Sequence, residues 1–130
     1  FSTDTPPLAY EERALELART ERTVYRLTGR STLPYFRPPF GDLDDSVLAD
    51  VGREGYAYAV MWTVDTLGWD GLAAPAIVAR GLALAEPGAI FIMHVGSASQ
   101  DAAALPDLVA GLRAAGYGFV PVSELIAAAR

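Results

Sequence analysis

The sequence predicts an α/β fold built from parallel strand–helix units. Short apolar segments alternate with amphipathic segments along the chain, and the connections between them are short. This alternation favours a parallel sheet with right-handed crossover connections. The segment 56–64 is rich in aromatic and β-branched residues and is apolar on both faces, which is typical of a strand covered on both sides. The 130 residues suit one domain and are short for a closed barrel.

The first predicted element is an amphipathic helix over residues 9–28. Its apolar residues recur at helical spacing, its acidic residues come first and its basic residues last, and Gly29 is placed to end it. Its charged residues are expected to form a solvated face. The other predicted elements are strand 33–37, a helix to about residue 54 capped by Asp42, Asp44 or Asp45, strand 56–64, helix 74–85, strand 89–93, helix 103–115, strand 118–122 and helix 124–130. The predicted core stripe of helix 103–115 is Leu105, Leu108, Val109 and Leu112.

The composition excludes several classes of protein. The net charge of −6 argues against a nucleic-acid partner and indicates an acidic solvated surface. The absence of cysteine excludes a disulfide framework and a thiolate metal site. No apolar run is long enough to span a membrane. A chain that begins at Phe1 is expected to be a processed, truncated or engineered product, with any export signal upstream.

Three candidate functional stretches lie at the C-terminal ends of predicted strands, namely Arg37, residues 65–69 and His94. The C-terminal edge of a parallel sheet is where α/β folds gather their sites. Two prolines follow Arg37 and are expected to hold it extended, so that its guanidinium can orient a carboxylate. A surface arginine in a proline-rich turn is the alternative. His94 is the sole histidine, and a structural histidine at the sheet rim is the alternative to a catalytic one.

An ordered set of motifs runs through residues 36–41 (FRPPFG), 62–69 (WTVDTLGW), 88–94 (GAIFIMH) and 116–125 (GYGFVPVSEL). In order and spacing these stretches resemble the third, fourth and fifth motifs and the closing strand and helix of the polysaccharide deacetylases. This is the NodB-homology family, also called carbohydrate esterase family 4. The resemblance covers nearly all of residues 1–130 but only the later part of a family domain. It implies the later half of a distorted (β/α) barrel.

The resemblance also implies an activity and a set of site residues. Family members remove acetyl groups from N-acetylglucosamine polymers such as peptidoglycan or chitin, which implies a place in the cell envelope or outside the cell. In complete members a divalent metal, usually zinc, polarises the amide and activates a water molecule. By resemblance, Arg37 would orient the catalytic base and His94 would protonate the leaving amine. Trp69 and Ile92 would line the acetyl pocket, and Phe40 is a third candidate for substrate binding.

The chain departs from the family pattern at several positions. The paired aspartates of the first motif are absent from it. In the second motif, the two metal-binding histidines align with Phe1 and Thr5, which are poor ligands, although an ordinary polar lead-in to the first helix is the alternative interpretation. The carboxylate that precedes the fourth-motif tryptophan and pairs with the fifth-motif histidine is Gly68 here, and Asp65 is a candidate replacement. The chain is therefore expected to hold no metal cofactor and to have no deacetylase activity by itself.

Two functional hypotheses follow from these residues. The first is a fragment or inactive homologue of a deacetylase, with His94, Arg37 and Asp65 as the remaining catalytic candidates. The second is a non-catalytic glycan-binding or scaffold domain, because aromatic rings can stack on sugars. The aromatic residues that motivate it, unless they are simply core residues, are Tyr35, Phe36, Phe40, Trp62 and Trp69.

The predicted open sheet also has a consequence for assembly. An unclosed parallel sheet leaves edges with unpaired backbone groups and apolar surface. We therefore expect a homodimer or retention of a complementary half-barrel. Light scattering at micromolar concentration tests this expectation, and a monodisperse monomer with a cooperative melt would contradict it.

Overall fold

The computed structural model describes residues 8–129, so the predictions for Phe1 and Thr5 lie outside the described residues. The chain forms two compact units that divide between Met61 and Trp62. Each unit contains helices and a pair of parallel strands, which confirms the predicted α/β class with parallel strands. Among the described helices, none combines the length and apolar character that a membrane crossing requires.

The first unit contains two paired parallel strands and two α-helices. Its parallel strands are joined in a register that sets Tyr35 opposite Tyr58 and Phe36 opposite Ala59. The side chain of Asp44 accepts a hydrogen bond of 2.7 Å from the backbone N–H of Val47, which identifies the cap among the three predicted aspartates. The elements are α1 (Tyr10–Thr28), β1 (Tyr35–Phe36), a short 3-10 helix (Pro39–Gly41), α2 (Asp45–Arg53) and β2 (Tyr58–Ala59).

Helix α1 has no buried residue, and polar side-chain contacts join it to α2. Arg13 Nη1 lies 2.5 Å from Asp50 Oδ2, and both side chains are largely covered. The Tyr10 hydroxyl donates a 2.6 Å hydrogen bond to Glu54, which raises the pKa of Tyr10. The prediction that all the charged residues of this helix face solvent is therefore wrong for Arg13, which pairs with a second helix.

Glu21 ties the middle of α1 to the segment that leads into β1. Its carboxylate accepts hydrogen bonds from the hydroxyl and from the backbone N–H of Thr32, the latter at 2.7 Å. These two bonds lower the pKa of Glu21 from its ordinary value, the hydroxyl bond being the larger cause. A carboxyl group with a lowered pKa stabilises the folded state above its unfolded pKa, and this contribution is lost as the pH falls through the folded pKa.

We expect Glu21→Gln to lower the melting temperature at neutral pH and to have little effect in acid. The substitution removes the charge that strengthens both hydrogen bonds, whereas protonation removes the same charge from the native chain. Melting curves from about pH 7 down to about pH 2 test this, because an unperturbed glutamate titrates near pH 4.3 and the lowered pKa of Glu21 requires a more acidic limit. Glu16→Gln is the matched control, because it alters an exposed ion pair with Arg19 on the same helix. An equal loss for Glu21→Gln at both pH values would contradict the assignment.

The second unit contains two paired parallel strands and three α-helices. Val64 lies opposite Phe91, and Asp65 lies opposite Ile92, in a parallel register. The elements are β3 (Val64–Asp65), a short 3-10 helix (Gly68–Asp70), α3 (Ala74–Ala83), β4 (Phe91–Ile92), α4 (Asp101–Ala114) and α5 (Val122–Ala128).

The core of the second unit lies between α3 and α4. Ile77 on α3 and Leu108 on α4 are 0% and 2% exposed, and Leu112 is also buried. A Cβ atom on Gly81 would lie 2.6 Å from Leu108 Cδ1, so the missing side chain lets the two helices approach closely. The predicted core stripe of α4 is confirmed for Leu108 and Leu112 but not for Leu105, which is 45% exposed.

Two of the predicted strands are wrong in detail. The segment 56–64 forms two short strands, β2 and the start of β3, which pair with different partners. The segment 118–122 forms no strand, because Pro121 leads directly into α5 and the described part of the chain supplies no strand beside it. Phe119 and Val120 are consequently more than half exposed. Residues 117–120 instead line an apolar groove of about 350 Å³ together with parts of β4, α4 and α5.

Candidate functional site

The second unit brings a histidine and a buried aspartate together. His94 Nδ1 lies 3.1 Å from Asp101 Oδ2, and the same oxygen accepts a 2.5 Å hydrogen bond from the backbone N–H of His94. The Asp101 side chain is 2% exposed, whereas the His94 side chain is 23% exposed. One carboxylate oxygen therefore contacts both the main chain and the ring of one residue.

The loop between β4 and α4 places these two side chains. His94 follows β4 by two residues, and Asp101 is the first residue of α4. The Ser99 hydroxyl donates a 3.1 Å hydrogen bond to the carbonyl of His94 and accepts one of 3.2 Å from the N–H of Asp101. A carboxylate in the first turn of a helix is also stabilised by the helix dipole. Ser99 therefore links the start of the loop at His94 to its end at Asp101.

Thr66 completes the surroundings of the inner ring nitrogen. Its hydroxyl is fully buried, donates a 3.2 Å hydrogen bond to the carbonyl of Ile92 and lies 3.5 Å from His94 Nδ1. Nδ1 therefore faces Asp101 and Thr66, and Nε2 is the nitrogen on the opposite side of the ring. An imidazole held through Nδ1 can use Nε2 for proton transfer.

Asp65 organises the turn that carries Trp69. Its Oδ1 accepts a 2.8 Å hydrogen bond from the N–H of Leu67, and its Oδ2 accepts one of 3.2 Å from the indole N–H of Trp69. Leu67 adopts φ 59°, so this local carboxylate contact supports a backbone conformation that few L residues adopt. The carboxylate at the histidine is that of Asp101, and the predicted replacement by Asp65 is corrected accordingly. Any catalytic role of Asp65 stays a prediction.

Gly68 lies against the Asp101 carboxylate. A Cβ atom on Gly68 would lie 2.2 Å from Asp101 Oδ2 and 2.5 Å from its Cγ. Gly68 itself is buried, and its successor Trp69 is 60% exposed. The turn therefore presents the indole ring to solvent while its glycine leaves room for the buried carboxylate.

The remaining predicted site residues occupy different surroundings. In the first unit, Arg37 Nε donates a 2.8 Å hydrogen bond to the carbonyl of Val60, and Nη2 donates one of 3.3 Å to that of Met61. Phe40 in the same unit is 81% exposed and has φ 59°. Ile92 is half-buried on β4 of the second unit. The proposed roles of Arg37 as an orienting group and of Phe40 and Ile92 in substrate binding stay predictions.

The donor set of the described residues does not fit a metal ion. Within residues 8–129 there is no group of three or more His, Cys, Asp or Glu side chains with the spacing of a metal site. His94 and Asp101 supply two donors at most, and His94 Nδ1 already faces the carboxylate.

Sequence comparison finds deacetylases. No family model matches the chain. Peptidoglycan-N-acetylmuramic acid deacetylase PdaA of Bacillus subtilis is 32% identical over 114 residues, which are 85% of this chain and 43% of PdaA. Peptidoglycan-N-acetylglucosamine deacetylase PgdA of Listeria monocytogenes is also 32% identical over 114 residues, and the match covers 22% of that protein. The chain thus spans less than half the length of these relatives.

Solved structures of the same class resemble the fold. A peptidoglycan N-acetylglucosamine deacetylase, Bc1960, has a TM-score of 0.82 at 26% identity over 91% of this chain and 56% of its own. A family 4 carbohydrate esterase pseudoenzyme from Bacillus anthracis has a TM-score of 0.80 at 28% identity over 94% of this chain and 42% of its own. A mutant of this pseudoenzyme with restored enzymatic activity scores 0.81 at 29% identity over 94% of this chain and 43% of its own.

The homologues and structural neighbours of this chain are family 4 carbohydrate esterases, the polysaccharide deacetylases, and the chain corresponds to part of such a protein. Its relatives include peptidoglycan deacetylases and a pseudoenzyme, so the family suggested by the motifs is confirmed. Deacetylases of this family have a (β/α) barrel fold, and the parallel strand–helix units of this chain agree with that class.

Asp101 is the functional candidate that the sequence did not predict. Its position at the start of an amphipathic segment is where an acidic residue ordinarily stabilises a helix, so nothing distinguished it from the other helix-leading aspartates. The available signal was indirect. Gly68 stands where the family resemblance implies a carboxylate for the histidine, and Asp101 follows His94 by seven residues, at the end of a short loop.

Proposed function

We propose that this chain binds N-acetylated glycan polymers, such as peptidoglycan or chitin, through the surface formed by Trp69 and His94. We propose further that the chain by itself does not hydrolyse their acetamide groups. The observation that carries the proposal is the arrangement in the second unit, where an exposed indole follows directly after the glycine that contacts the histidine's carboxylate. A cell-envelope or extracellular location follows from this substrate class.

The Trp69 ring supports the binding half of the proposal. It is exposed, yet its N–H is fixed by Asp65, so its orientation is set before a ligand arrives. A pre-oriented aromatic face binds a sugar ring with little loss of side-chain entropy. The relatives named as peptidoglycan deacetylases act on acetylated glycans, which supports the choice of ligand class.

The His94 ring supports a link to deacetylase chemistry. When the carbon–nitrogen bond of an acetamide breaks, the leaving nitrogen must gain a proton. Nε2 lies on the side of the ring opposite Asp101, and it could donate that proton from the imidazolium form, in which both ring nitrogens carry hydrogen. Residues 8–129 offer no metal site to activate the attacking water, so this part of the chain has the proposed proton donor without a metal-activated nucleophile.

Calorimetric titration with acetylated chitin and peptidoglycan oligomers tests the binding function. We expect saturable binding that weakens at least tenfold in Trp69→Ala, which corresponds to about 1.4 kcal/mol. Trp69→Phe should retain part of the affinity, because it keeps an aromatic face but loses the hydrogen bond to Asp65. Phe119→Ala is the matched control, since it removes another exposed ring of the same unit and should leave affinity unchanged. No binding at millimolar oligomer would refute the proposal.

The same samples test the absence of hydrolysis. We expect no acetate release from the oligomers and no stoichiometric zinc by elemental analysis after dialysis. One tightly held zinc ion per chain together with acetate release would replace the binding function with an active deacetylase. A homodimer, or a partner segment that completes the fold, stays a prediction for light scattering to decide.

A further inference from the structure

We infer that Asp101 is the residue that positions His94, and that it does so from the start of α4, in place of a carboxylate in the turn before Trp69. Gly68 is the necessary counterpart, because its missing side chain provides the space that the Asp101 carboxylate fills. The positioning of His94 is independent of the proposed function, and only the chemical role of the oriented imidazole rests on it.

The hydrogen bonds of Asp101 constrain both parts of His94. Oδ2 accepts from the backbone N–H at 2.5 Å, which fixes the start of the loop. The same oxygen lies 3.1 Å from Nδ1, which fixes the rotation of the ring. A carboxylate is an acceptor only, so the neutral imidazole must carry its hydrogen on Nδ1 to make this contact. The lone pair of Nε2 then faces away from the carboxylate.

The burial of Asp101 argues against a purely structural helix-leading residue. Such a residue is normally solvated or fully hydrogen bonded, because burying an unsatisfied carboxylate oxygen is costly. Asp101 is 2% exposed, and its Oδ1 has no hydrogen-bond partner within residues 8–129. Local arrangements that reduce stability are concentrated at functional sites. The cost is understandable if the carboxylate serves to orient the ring.

Gly68 supplies the second, independent observation. A Cβ atom there would overlap Asp101 Oδ2 at 2.2 Å and its Oδ1 at 2.8 Å. A side chain on residue 68 would therefore begin at the place where the Asp101 carboxylate now ends. The two positions can supply a carboxylate to the same volume beside His94, but not at the same time. This mutual exclusion accounts for a glycine directly before the exposed tryptophan.

The tautomer of His94 tests the inference directly. Long-range ¹H–¹⁵N correlation spectra distinguish hydrogen on Nδ1 from hydrogen on Nε2, and the chain has a single histidine, so the signals need no separation. At about pH 9, where an ordinary imidazole is neutral, we expect the Nδ1–H form to dominate in the native chain. Dominance of the Nε2–H form would overturn the inference without any substitution.

Two variants separate positioning from folding. Asp101→Ala should return the ring to a mixture of tautomers, and backbone spectra report whether the fold is kept. The double variant Gly68→Asp with Asp101→Ala should restore the Nδ1–H form, because it returns a carboxylate to the same volume from the other side. Unchanged tautomer populations in a folded Asp101→Ala variant would contradict the inference. Loss of glycan binding alone would count against the proposed function and leave this result standing.

Discussion

Replacement of Leu108 by alanine is expected to lower the free energy of unfolding by about 2–5 kcal/mol, the range for buried leucines. Leu108 is 2% exposed and fills the space left by Gly81 between α3 and α4. Alanine would remove the methyl groups that reach Gly81, and the surrounding helices could close the resulting cavity only in part. Chemical unfolding of the native chain and the variant measures the difference. The slope of the unfolding free energy against denaturant concentration should be the same for both, which shows that they undergo the same transition.

Leu105→Ala is the matched control for this prediction. Leu105 lies on the same helix, one turn before Leu108, but 45% of it is exposed. We expect its loss to cost less than about 1 kcal/mol, as for surface substitutions outside the core. Equal losses for the two leucines would mean that the packing between α3 and α4 does not dominate the stability of this unit.

Replacement of Gly68 by alanine is the second large effect. The added Cβ would lie 2.2 Å from a carboxylate that is buried and bonded to the main chain of His94, so neither group can move cheaply. Overpacking of this kind costs about 1–3 kcal/mol, and breaking hydrogen bonds to a buried carboxylate adds about 1–3 kcal/mol. We expect a loss of at least about 2 kcal/mol in unfolding free energy.

A double-mutant cycle identifies the cause of this loss. In the presence of Asp101→Ala, Gly68→Ala should cost much less free energy of unfolding, because the colliding carboxylate is gone. Gly96→Ala is the control for the substitution itself, since Gly96 has open space around its Cβ position and is expected to be nearly neutral. Additive losses for positions 68 and 101 would refute the steric relation between them.

Regular local patterns allowed most of the helices to be predicted. The apolar spacing, charge order and Gly29 predicted 9–28, and α1 occupies Tyr10–Thr28. The strand 118–122 was predicted from its apolar composition, but a strand also needs a neighbour to pair with, and composition carries no information about that neighbour. Pro121 shows the competing signal, because a proline suits the start of a helix.

Site residues could be predicted only where they belong to a recognisable sequence motif. His94 and Trp69 were identified because they end recognisable stretches. Asp101 was missed because its role depends on a contact across a loop and on the empty space at Gly68, neither of which has a periodic signal. Asp65 was proposed as the carboxylate at the histidine because it lies in the same turn as Gly68, whereas both of its oxygens accept hydrogen bonds from within that turn.

The central claim is that Trp69 and His94 form a surface for N-acetylated glycan, and an NMR titration tests it most directly. The indole N–H of Trp69, assigned by comparison with Trp69→Phe, and the ring signals of His94 report on the two halves of the surface. We expect both to shift saturably with an N-acetylglucosamine oligomer and to shift far less with the fully deacetylated oligomer of equal length. Equal shifts with both oligomers, or none at millimolar concentration, would contradict the claim.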